Sequence, residues 1–474
     1  MKKIPFIVLL YIFITSLTAP ITFAQSFNQI VERHLGNHDI SVSIRDVESG
    51  KILFEKNGNT FQKPASTLKL LTAATALSVL GEDYQFTTEV FIDGDIQGDE
   101  LKGNLYVKGG GDPTFQKDDF MTIADFLKML GINKISGNLY GDDSMFAGPQ
   151  LTPGVAKEDE SYYYGARTSA LTMSPDDDYD AGTIILHIEP TENGKKPTIV
   201  LDPNDSGMII HNRAMTVHSD SKNTIEVERI HRSNEVVVSG NIPMGDPMKE
   251  WVTLQDPTIN TLHALKEVLK EQGIMIEGVE VERKEIPEKA TLLLTRKSEP
   301  LHSLVNPFMK LSNNSIADIL VKTLGFEVYG EGSLENGLQV INHYGEKIGL
   351  HMDQWLLEDG SGISHKNRTT ANELTSLLVK VIDEPYFKAF YYSLPIGGEE
   401  ERMVGGSLRE RFQKPHLKER IFAKTGHISG VYTLSGYAKT NSGKTVAFAV
   451  MTQHQSTVKL KDIDIVVEKI IEQY

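Results

Sequence analysis

The sequence predicts a mixed α/β protein into which one or two strand-rich domains are inserted. The length of 474 residues is too great for one ordinary hydrophobic core, so two or three domains are expected. Helical periodicity occurs near the N-terminus and returns after about Leu292, whereas the stretch from about Tyr84 to Ala290 is rich in strands and turns. A hydrophobic content of 40% with 24% charged residues is typical of a soluble, globular chain.

The N-terminus has the pattern of an export signal. Two lysines precede an apolar run from about Ile4 to Leu17, and a small-residue site ending at Ala24 comes next. The alternative is a membrane anchor, but the run is short for a span of roughly 20 residues, and Pro20 interrupts the residues after it. We therefore predict a signal peptide over residues 1–24 and a secreted protein that works outside the cytoplasm, in the cell wall or at the membrane surface.

Charge and residue usage argue against several classes of protein. Residues 1–24 carry two lysines and no acidic residue, so their removal changes the formal net charge from −16 to −18. Such an acidic protein repels nucleic acid. The chain contains no cysteine and no His-Glu-x-x-His, so we expect neither a disulfide nor a metal, and no cofactor. The acidic run from Asp176 to Asp178 lacks an EF-hand pattern and is interpreted as a solvated loop.

Two strands and a helix are predicted before the strand-rich region. The alternating stretch from Ile40 to Arg45 predicts a strand, and Ile52 to Glu55 predicts its hairpin partner. From Ser66 to about Leu80 apolar residues recur at helical spacing, and Gly81 stands after them as a stop. Ser66 is therefore predicted at the N-terminus of a long apolar helix.

The later elements are predicted by the same rules of periodicity and turn chemistry. In the strand-rich region we predict strands at Leu101–Lys108, Thr183–Glu189, Thr224–Arg229 and Asn234–Ser239, and a helix at Leu262–Gln272 capped by Gly273. Beyond it we predict two helices, Asn314–Leu324, which Gly325 stops, and Glu373–Ile382. Three antiparallel strands are predicted next, at Ile421–His427, Val431–Lys439 and Lys444–Met451. The last predicted element is a helix at Asp462–Tyr474 that packs on the core.

A Ser-x-x-Lys motif at Ser66 and Lys69 is the first candidate for chemistry. The same pattern recurs at Ser219 and at Ser456, but only Ser66 opens a long apolar helix. A three-residue step is close to one helical turn, so it brings the Lys69 amine near the Ser66 hydroxyl, where a neutral lysine can take the proton of a nucleophilic serine. This role requires desolvation or a nearby cation, for which Lys424 is a candidate, to lower the lysine pKa. The alternative is that Ser66 is only a helix cap.

Two further short motifs come later along the chain. Ser312-Asn313-Asn314 precedes a predicted helix, and taken alone it resembles a helix cap. Lys424-Thr425-Gly426 occurs once, on a predicted edge strand where Gly426 permits close approach by a substrate; taken alone it is an ordinary strand end. The ordered set of three is expected of penicillin-binding proteins and class A β-lactamases. It predicts a serine acyl-transfer enzyme.

Four other stretches indicate which family of penicillin-binding proteins the chain resembles. They are Gly109-Gly110-Gly111-Asp112-Pro113, Asp142-Asp143-Ser144-Met145-Phe146, Tyr162-Tyr163-Tyr164-Gly165-Ala166 and Asp359-Gly360-Ser361-Gly362. With them, nearly the whole mature chain resembles the class C, type-4 low-molecular-mass penicillin-binding proteins, which are D-alanyl-D-alanine carboxypeptidases and endopeptidases.

The resemblance implies a fold with three domains. It implies a penicillin-binding transpeptidase-like α/β domain, an antiparallel sheet with helices, over residues 25–87 and 291–474. It also implies two inserted, mainly β domains: domain II over residues 88–179 and 246–290, and domain III over residues 180–245.

The resemblance further implies catalytic roles. Ser66 would attack the carbonyl between two D-alanines, with Lys69 as the base. Ser312 and Lys424 would relay a proton to the leaving amine, and Asn314 would hold the substrate's amide.

The same resemblance implies the substrate contacts. The backbone N–H groups of Ser66 and His427 would form the oxyanion hole, and Thr425 would contact the terminal carboxylate.

Two departures from the family pattern concern substrate recognition. His427 stands where the family commonly has Thr or Ser, so a second hydroxyl for the carboxylate is missing. His365 stands where the family often has Arg in a pocket for the end of a diaminopimelate side chain. Candidates for that pocket are Glu158, Asp159, His365 and Lys366.

The predicted function is a secreted serine DD-peptidase. It would cleave D-Ala-D-Ala, and also cross-links, in peptidoglycan stem peptides through an acyl-enzyme on Ser66, and β-lactam antibiotics would inhibit it. Two alternatives stay open at this point. One is a serine β-lactamase, against which the large insert argues, and the other is a non-catalytic wall-binding or receptor module.

Overall fold

The computed structural model describes residues 23–453 and 460–474. The predicted signal peptide lies outside the described residues except for its last two, whose backbone begins a helix that runs from Phe23 to Leu35. The Ser-x-x-Lys pattern at Ser456 also lies outside them.

The strands fall in three groups along the chain. The first two are β1 (Ile40–Asp46) and β2 (Ile52–Lys56), and the last three are β18 (Ile421–Ile428), β19 (Val431–Lys439) and β20 (Thr445–Gln453). Between them lie β3 (Thr87–Gln97), β4 (Glu100–Gly109), β5 (Lys134–Ile135), β6 (Leu139–Asp142), β7 (Thr183–Glu189), β8 (Thr198–Asp202), β9 (Ile209–Asn212), β10 (Met215–Val217), β11 (Glu226–Arg229), β12 (Glu235–Ser239), β13 (Asn241–Pro243), β14 (Met248–Thr253), β15 (Met275–Ile276), β16 (Val281–Arg283) and β17 (Thr291–Lys297).

The helices concentrate at the two ends of the chain. They are α1 (Phe23–Leu35), α2 (Lys69–Val79), α3 (Lys117–Met129), α4 (Pro257–Glu271), α5 (Leu301–Lys310), α6 (Asn314–Tyr329), α7 (Leu334–Lys347), α8 (Ala371–Lys380), α9 (Phe387–Ser393), α10 (Arg402–Gly405) and α11 (Leu460–Gln473). Among the described residues, none of these helices combines the length and the apolar character that crossing a bilayer demands.

A five-stranded antiparallel sheet joins both ends of the chain. Its order is β18-β19-β20-β1-β2. The predicted hairpin and the three predicted C-terminal strands are confirmed, and the structure adds that β1 pairs with β20 to join them in one sheet. Strand β18, which carries Lys424-Thr425-Gly426, lies at the edge as predicted.

The two faces of this sheet are covered by different sets of helices. Along β20, Ala447, Ala449 and Met451 join the core formed with α2, α5, α6 and α8. The alternate residues Phe448 and Val450 join the core formed with α1 and α11. Because successive side chains of a strand point to opposite faces, the sheet lies between two helical layers. The predicted core role of the closing helix is confirmed.

The inserted region is mainly β, with α3 and α4 packed against it. It contains a mixed sheet built around β15-β5-β4-β3-β17, together with the smaller sheets β14-β7-β8, β11-β12-β9 and β10-β13. Its buried apolar residues form one cluster that runs from Leu105 on β4 to Leu186 on β7 and Val238 on β12. The division of this region into domains II and III stays a prediction.

Local sequence rules misplaced some helix boundaries and missed some helices. The predicted stop at Gly325 is wrong, because α6 continues to Tyr329 and ends at Gly330, which has a φ of +77°. Gly325 serves close packing instead: a Cβ there would lie 2.9 Å from the Gly337 N atom at the start of α7. The periodicity also missed α3, α5, α7 and α9, which are short or amphipathic helices stabilised by packing.

Candidate active site

Ser66 lies in a 3₁₀ turn, Ala65–Leu68, directly before α2. Its side chain makes no capping hydrogen bond, so the cap interpretation is wrong for this serine. Ala65 has a φ of +47°, a region that non-glycine residues rarely adopt and that tends to occur at functional sites. The turn brings Ser66 Oγ to 3.1 Å from Lys69 Nζ, as the three-residue spacing predicted.

Lys69 is completely buried and its amine meets three oxygen atoms. Besides Ser66 Oγ, its Nζ lies 2.6 Å from Asn314 Oδ1 and 2.7 Å from the carbonyl oxygen of Ser361. A neutral amine has two N–H bonds and one lone pair. It can donate to Asn314 and Ser361 and still accept the hydroxyl proton of Ser66. The arrangement therefore suits a general base.

Burial lowers the pKa of both lysines. It lowers the pKa of Lys69 to about 7, while the carboxylates of Asp318 and Asp359 act in the opposite direction. Burial, and secondly the positive charge of Lys69, lower the pKa of Lys424 well below its ordinary value. Of the two causes considered from the sequence, desolvation rather than a neighbouring cation is the one that lowers the Lys69 pKa.

Each of the three residues in the Ser312-Asn313-Asn314 motif makes a different contact. Asn313 is the helix cap, since its Oδ1 accepts the Ile316 N–H at 2.8 Å. Ser312, with a φ of +62°, directs its Oγ to within 2.7 Å of Lys424 Nζ. Asn314 holds Lys69 through its Oδ1, and its Nδ2 donates to the Tyr164 carbonyl at 2.8 Å.

The outer edge of β18 is covered in its first half and open in its second. Gly397 donates its N–H to Ile421, and Ala423 donates its N–H to Pro395, each at 2.9 Å. Backbone groups of alternate residues point the same way in an antiparallel strand. The N–H groups of Thr425 and His427 therefore face the open part of the edge, where an extended substrate could pair with the strand.

Gly426 permits the close approach of β18 to the serine turn. A Cβ at this position would lie 2.1 Å from Thr433 Oγ1, 2.9 Å from the Pro64 carbonyl oxygen and 3.0 Å from the Ser66 N atom. A larger residue would therefore push the strand and the turn apart.

These groups meet in a cleft of about 600 Å³. Three of the four residues predicted for a side-chain pocket line it, namely Glu158, Asp159 and His365. The fourth, Lys366, is exposed and its Nζ lies 3.7 Å from Glu358. The other residues that line the cleft are Ser66, Gly154, Ala156, Tyr163, Tyr164, Leu311, Ser312, Asn314, Ile363, His427, Ile428 and Ser429.

Several contributors to the site were missed at the sequence level. Asp359, the first residue of the Asp-Gly-Ser-Gly stretch, accepts the N–H groups of Gly362 and Ser364 at 2.6 and 2.7 Å and so shapes the loop that presents the Ser361 carbonyl. Asp318 lies one helical turn after Asn314, a spacing that could have indicated it. The contact of Lys69 with the Ser361 carbonyl could not be predicted, because every residue has a backbone carbonyl.

The acidic run is more ordered than a solvated loop. Asp178 pairs with Arg402 through both guanidinium nitrogens. Asn313 Nδ2 donates to the Asp178 carbonyl at 2.9 Å and to Asp180 Oδ1 at 2.9 Å. The segment therefore fixes the position of the Ser312 turn.

The fold and this constellation define a serine acyl-transfer enzyme of the penicillin-binding type: a serine beside a buried lysine, a second serine and lysine pair, and an open strand edge. The chain belongs to the D-Ala-D-Ala carboxypeptidase 3 (S13) family, whose model matches residues 25–474. The resemblance stated from the motifs is confirmed.

Characterised relatives agree with this membership. The chain is 32% identical over 425 residues to a D-alanyl-D-alanine carboxypeptidase of an Actinomadura species, covering 88% of this chain and 78% of the relative. It is 26% identical over 444 residues to D-alanyl-D-alanine carboxypeptidase DacB of Haemophilus influenzae, covering 93% and 91%.

Solved structures agree on the fold. The crystal structure of penicillin binding protein 4 from Haemophilus influenzae superposes with a TM-score of 0.79 at 24% identity, covering 94% of this chain and 98% of that one. The same protein in complex with a β-lactam gives a TM-score of 0.75 at 25% identity, with the same coverage.

Proposed function

We propose that this protein is a DD-peptidase that acylates Ser66 with the D-alanyl carbonyl of peptidoglycan stem peptides. The observation that carries the proposal is the environment of Lys69, whose buried Nζ lies 3.1 Å from Ser66 Oγ and within hydrogen-bond distance of two further acceptors. A pKa of about 7 leaves much of this amine neutral at physiological pH.

Acylation begins with the transfer of the Ser66 proton to Lys69. As Ser66 Oγ attacks the carbonyl carbon, the oxyanion that forms is stabilised by the backbone N–H groups of Ser66 and His427. The tetrahedral intermediate collapses by breaking the carbon–nitrogen bond to the leaving residue.

The second pair of polar residues serves the leaving group. Ser312 Oγ, held at 2.7 Å from Lys424 Nζ, passes a proton to the departing amine. It is reprotonated through Lys424 with the proton that Lys69 took from Ser66, so Lys69 is neutral again. Water then attacks the ester, gives up a proton to the base, and releases the acyl product while Ser66 recovers its hydroxyl proton.

Substrate contacts extend to both sides of Ser66. Asn314 holds the amide of the acyl part and Thr425 contacts the terminal carboxylate. Glu158, Asp159 and His365 line the cleft where the stem-peptide side chain lies, so these residues set which side chain is accepted.

Peptidoglycan as substrate also fixes where the protein works. Stem peptides lie outside the cytoplasm, so we propose that residues 1–24 direct export and are removed after Ala24. We also propose that residues 25–87 and 291–474 form the catalytic domain, with residues 88–179 and 246–290 as one inserted domain and residues 180–245 as the other.

Mass spectrometry of the intact protein after treatment with penicillin tests the proposal. One adduct per chain is expected, located on Ser66 by peptide mapping and absent from Ser66→Ala. Ser219→Ala is a matched control because it removes the serine of another Ser-x-x-Lys pattern, on an exposed turn. An adduct that persists in Ser66→Ala contradicts the assignment, and fast turnover of penicillin without accumulation of adduct indicates a β-lactamase.

A further inference from the structure

A second hydroxyl lies beside Thr425, from a part of the chain that the motifs do not include. Ser407, in the 3₁₀ turn Gly406–Leu408, places its Oγ 2.7 Å from Thr425 Oγ1. Ser407 is exposed and Thr425 is half-buried, so the pair is open to solvent. His427 does not fill this place, because its ring stacks on Tyr432 with the centroids 4.6 Å apart.

The hydroxyl pair lies beside the catalytic cleft, since Thr425 stands two residues before His427 on β18 and Ser407 lines a space that adjoins the cleft. His427 and Ile428 at the end of β18, and Ser429 in the turn after it, line the cleft. Thr425 precedes them on the strand, and its hydroxyl contacts Ser407 on the side of the adjoining space. A peptide that crosses Ser66 along this edge therefore has its acyl part at one end and its leaving residue at the other.

A basin of about 290 Å³ opens beyond Ser407. It shares Tyr163 and Leu311 with the catalytic cleft, so the two spaces adjoin. Trp251 of the inserted region also lines it. The basin is thus placed to receive groups attached to a leaving residue.

The charges of the basin favour an anion. Arg402 is neutralised by its contact with Asp178. Arg409 is 44% exposed and its Nε lies 3.8 Å from Glu410, a distance too long for a strong hydrogen bond. Asp180 also lines the basin, but burial raises its pKa to about 8, so it is largely uncharged at neutral pH.

We propose that Ser407, Thr425 and this basin form the subsite for the leaving residue. The two hydroxyls bind its free carboxylate, Arg409 adds positive charge, and the basin holds its side chain. The leaving residue can then be a small D-amino acid or a residue whose long side chain continues into a second, acidic stem peptide. This inference rests on the proposed function, since it requires that the bond cleaved lies at Ser66.

Two peptides that differ at one group test the carboxylate contact. Both end in D-Ala-D-Ala, one as the free acid and the other as the carboxamide. We expect the wild type to hydrolyse the acid with the higher kcat/KM. Ser407→Ala should reduce the ratio of the two kcat/KM values by about tenfold, the size of effect expected for one hydrogen bond to a charged group. Ser407→Thr, which keeps the hydroxyl, should retain the ratio.

The ratio of the two kcat/KM values distinguishes a loss of carboxylate binding from a loss of folded enzyme. A variant that folds poorly loses activity on both peptides alike, so its ratio does not change. Ser219→Ala should leave both values unchanged. A wild type that ignores the carboxylate, or an unchanged ratio in Ser407→Ala, overturns the inference. Failure of the proposed function looks different, because neither peptide is then hydrolysed and no penicillin adduct forms on Ser66.

A second comparison tests the basin. Arg409→Ala should lower kcat/KM for a purified cross-linked muropeptide dimer several-fold more than for the monomeric pentapeptide, because the dimer alone carries an acidic stem on its leaving side. Arg33→Ala, on exposed helix surface, is the matched control. Equal losses on the two substrates overturn the role of the basin.

Discussion

At the scale of single residues, the charge of Lys69 depends on groups beneath the catalytic cleft. Helix α6 presents Asn314, Asp318 and Lys322 at four-residue steps, so they lie along one face. Asp318 is buried, accepts the Thr152 hydroxyl at 2.6 Å, and has one carboxylate oxygen without a hydrogen-bond partner among the described residues. Its charge raises the pKa of Lys69 and so opposes the effect of burial.

This balance predicts the pH dependence of acylation. Because only neutral Lys69 accepts the serine proton, the rate of penicillin acylation should rise with pH through about 7. Burial raises the pKa of Asp318 itself to about 7, so its negative charge acts on Lys69 mainly in the upper part of the profile. Asp318→Asn keeps an acceptor for Thr152 but removes this charge, so the Lys69 pKa falls and the midpoint of the profile moves to lower pH. Stopped-flow acylation between pH 5.5 and 9 measures this midpoint.

A control separates this electrostatic effect from a structural one. Asp246→Asn, on an exposed turn, removes the same charge far from the site and should leave the midpoint in place. A lower rate with an unmoved midpoint in Asp318→Asn means that the carboxylate only supports the fold.

At the scale of elements, the site depends on the contact between β18 and the turn that carries Ser66. The Gly426→Ala substitution places a methyl group 3.0 Å from the Ser66 N atom and 2.1 Å from Thr433 Oγ1. A displacement of about 1 Å can cost about a hundredfold in rate. We therefore expect kcat/KM to fall by about two orders of magnitude, measured on a D-Ala-D-Ala peptide.

Gly430, four residues after Gly426, provides a control substitution. Gly430, in the turn after β18, has a φ of +73° but open space around it. Gly430→Ala should therefore cost stability through backbone strain while leaving kcat/KM close to that of the wild type. If the two variants lose activity equally, the close contact at Gly426 is not what positions the serine.

At the scale of the whole molecule, the acidic segment couples insert and catalytic core. Asp180 is 9% exposed, accepts a hydrogen bond from Asn313, and is surrounded by Asp178 and Asp176. Burial, with these two carboxylates, raises its pKa to about 8, whereas the ordinary value is 3.8. The folded protein therefore keeps this proton over a range in which the unfolded chain has lost it.

Linkage gives the sign of the stability effect. A folded pKa above the unfolded value means that the folded state binds more protons, so stability falls as pH rises from about 4 to about 8. Asp180→Asn removes this dependence and retains an acceptor for Asn313. Its melting temperature should exceed that of the wild type by about 2 °C or more at pH 8 and match it more closely at pH 5. Differential scanning fluorimetry at both pH values measures this, with Asp246→Asn as the control.

Much of the fold and the chemistry could be predicted from local patterns. The alternation in β1 and β19 and the turn residues between β19 and β20 are short-range signals, and they located those strands well. The order of Ser66, Ser312 and Lys424 along the chain indicated the reaction class. Helices α5 and α7 were missed because their amphipathic faces are stabilised by packing against α6 and α2 rather than by strong propensity.

The sequence by itself determined the residue types of the reaction, their order, and the strand on which Lys424 lies. Only the tertiary structure decided that Lys69 has a lowered pKa, since desolvation depends on what covers the amine. Only the tertiary structure brought Ser407 to Thr425 and Asp180 to Asn313. These contacts join segments that are far apart in the sequence, and local sequence patterns do not predict which distant segments meet.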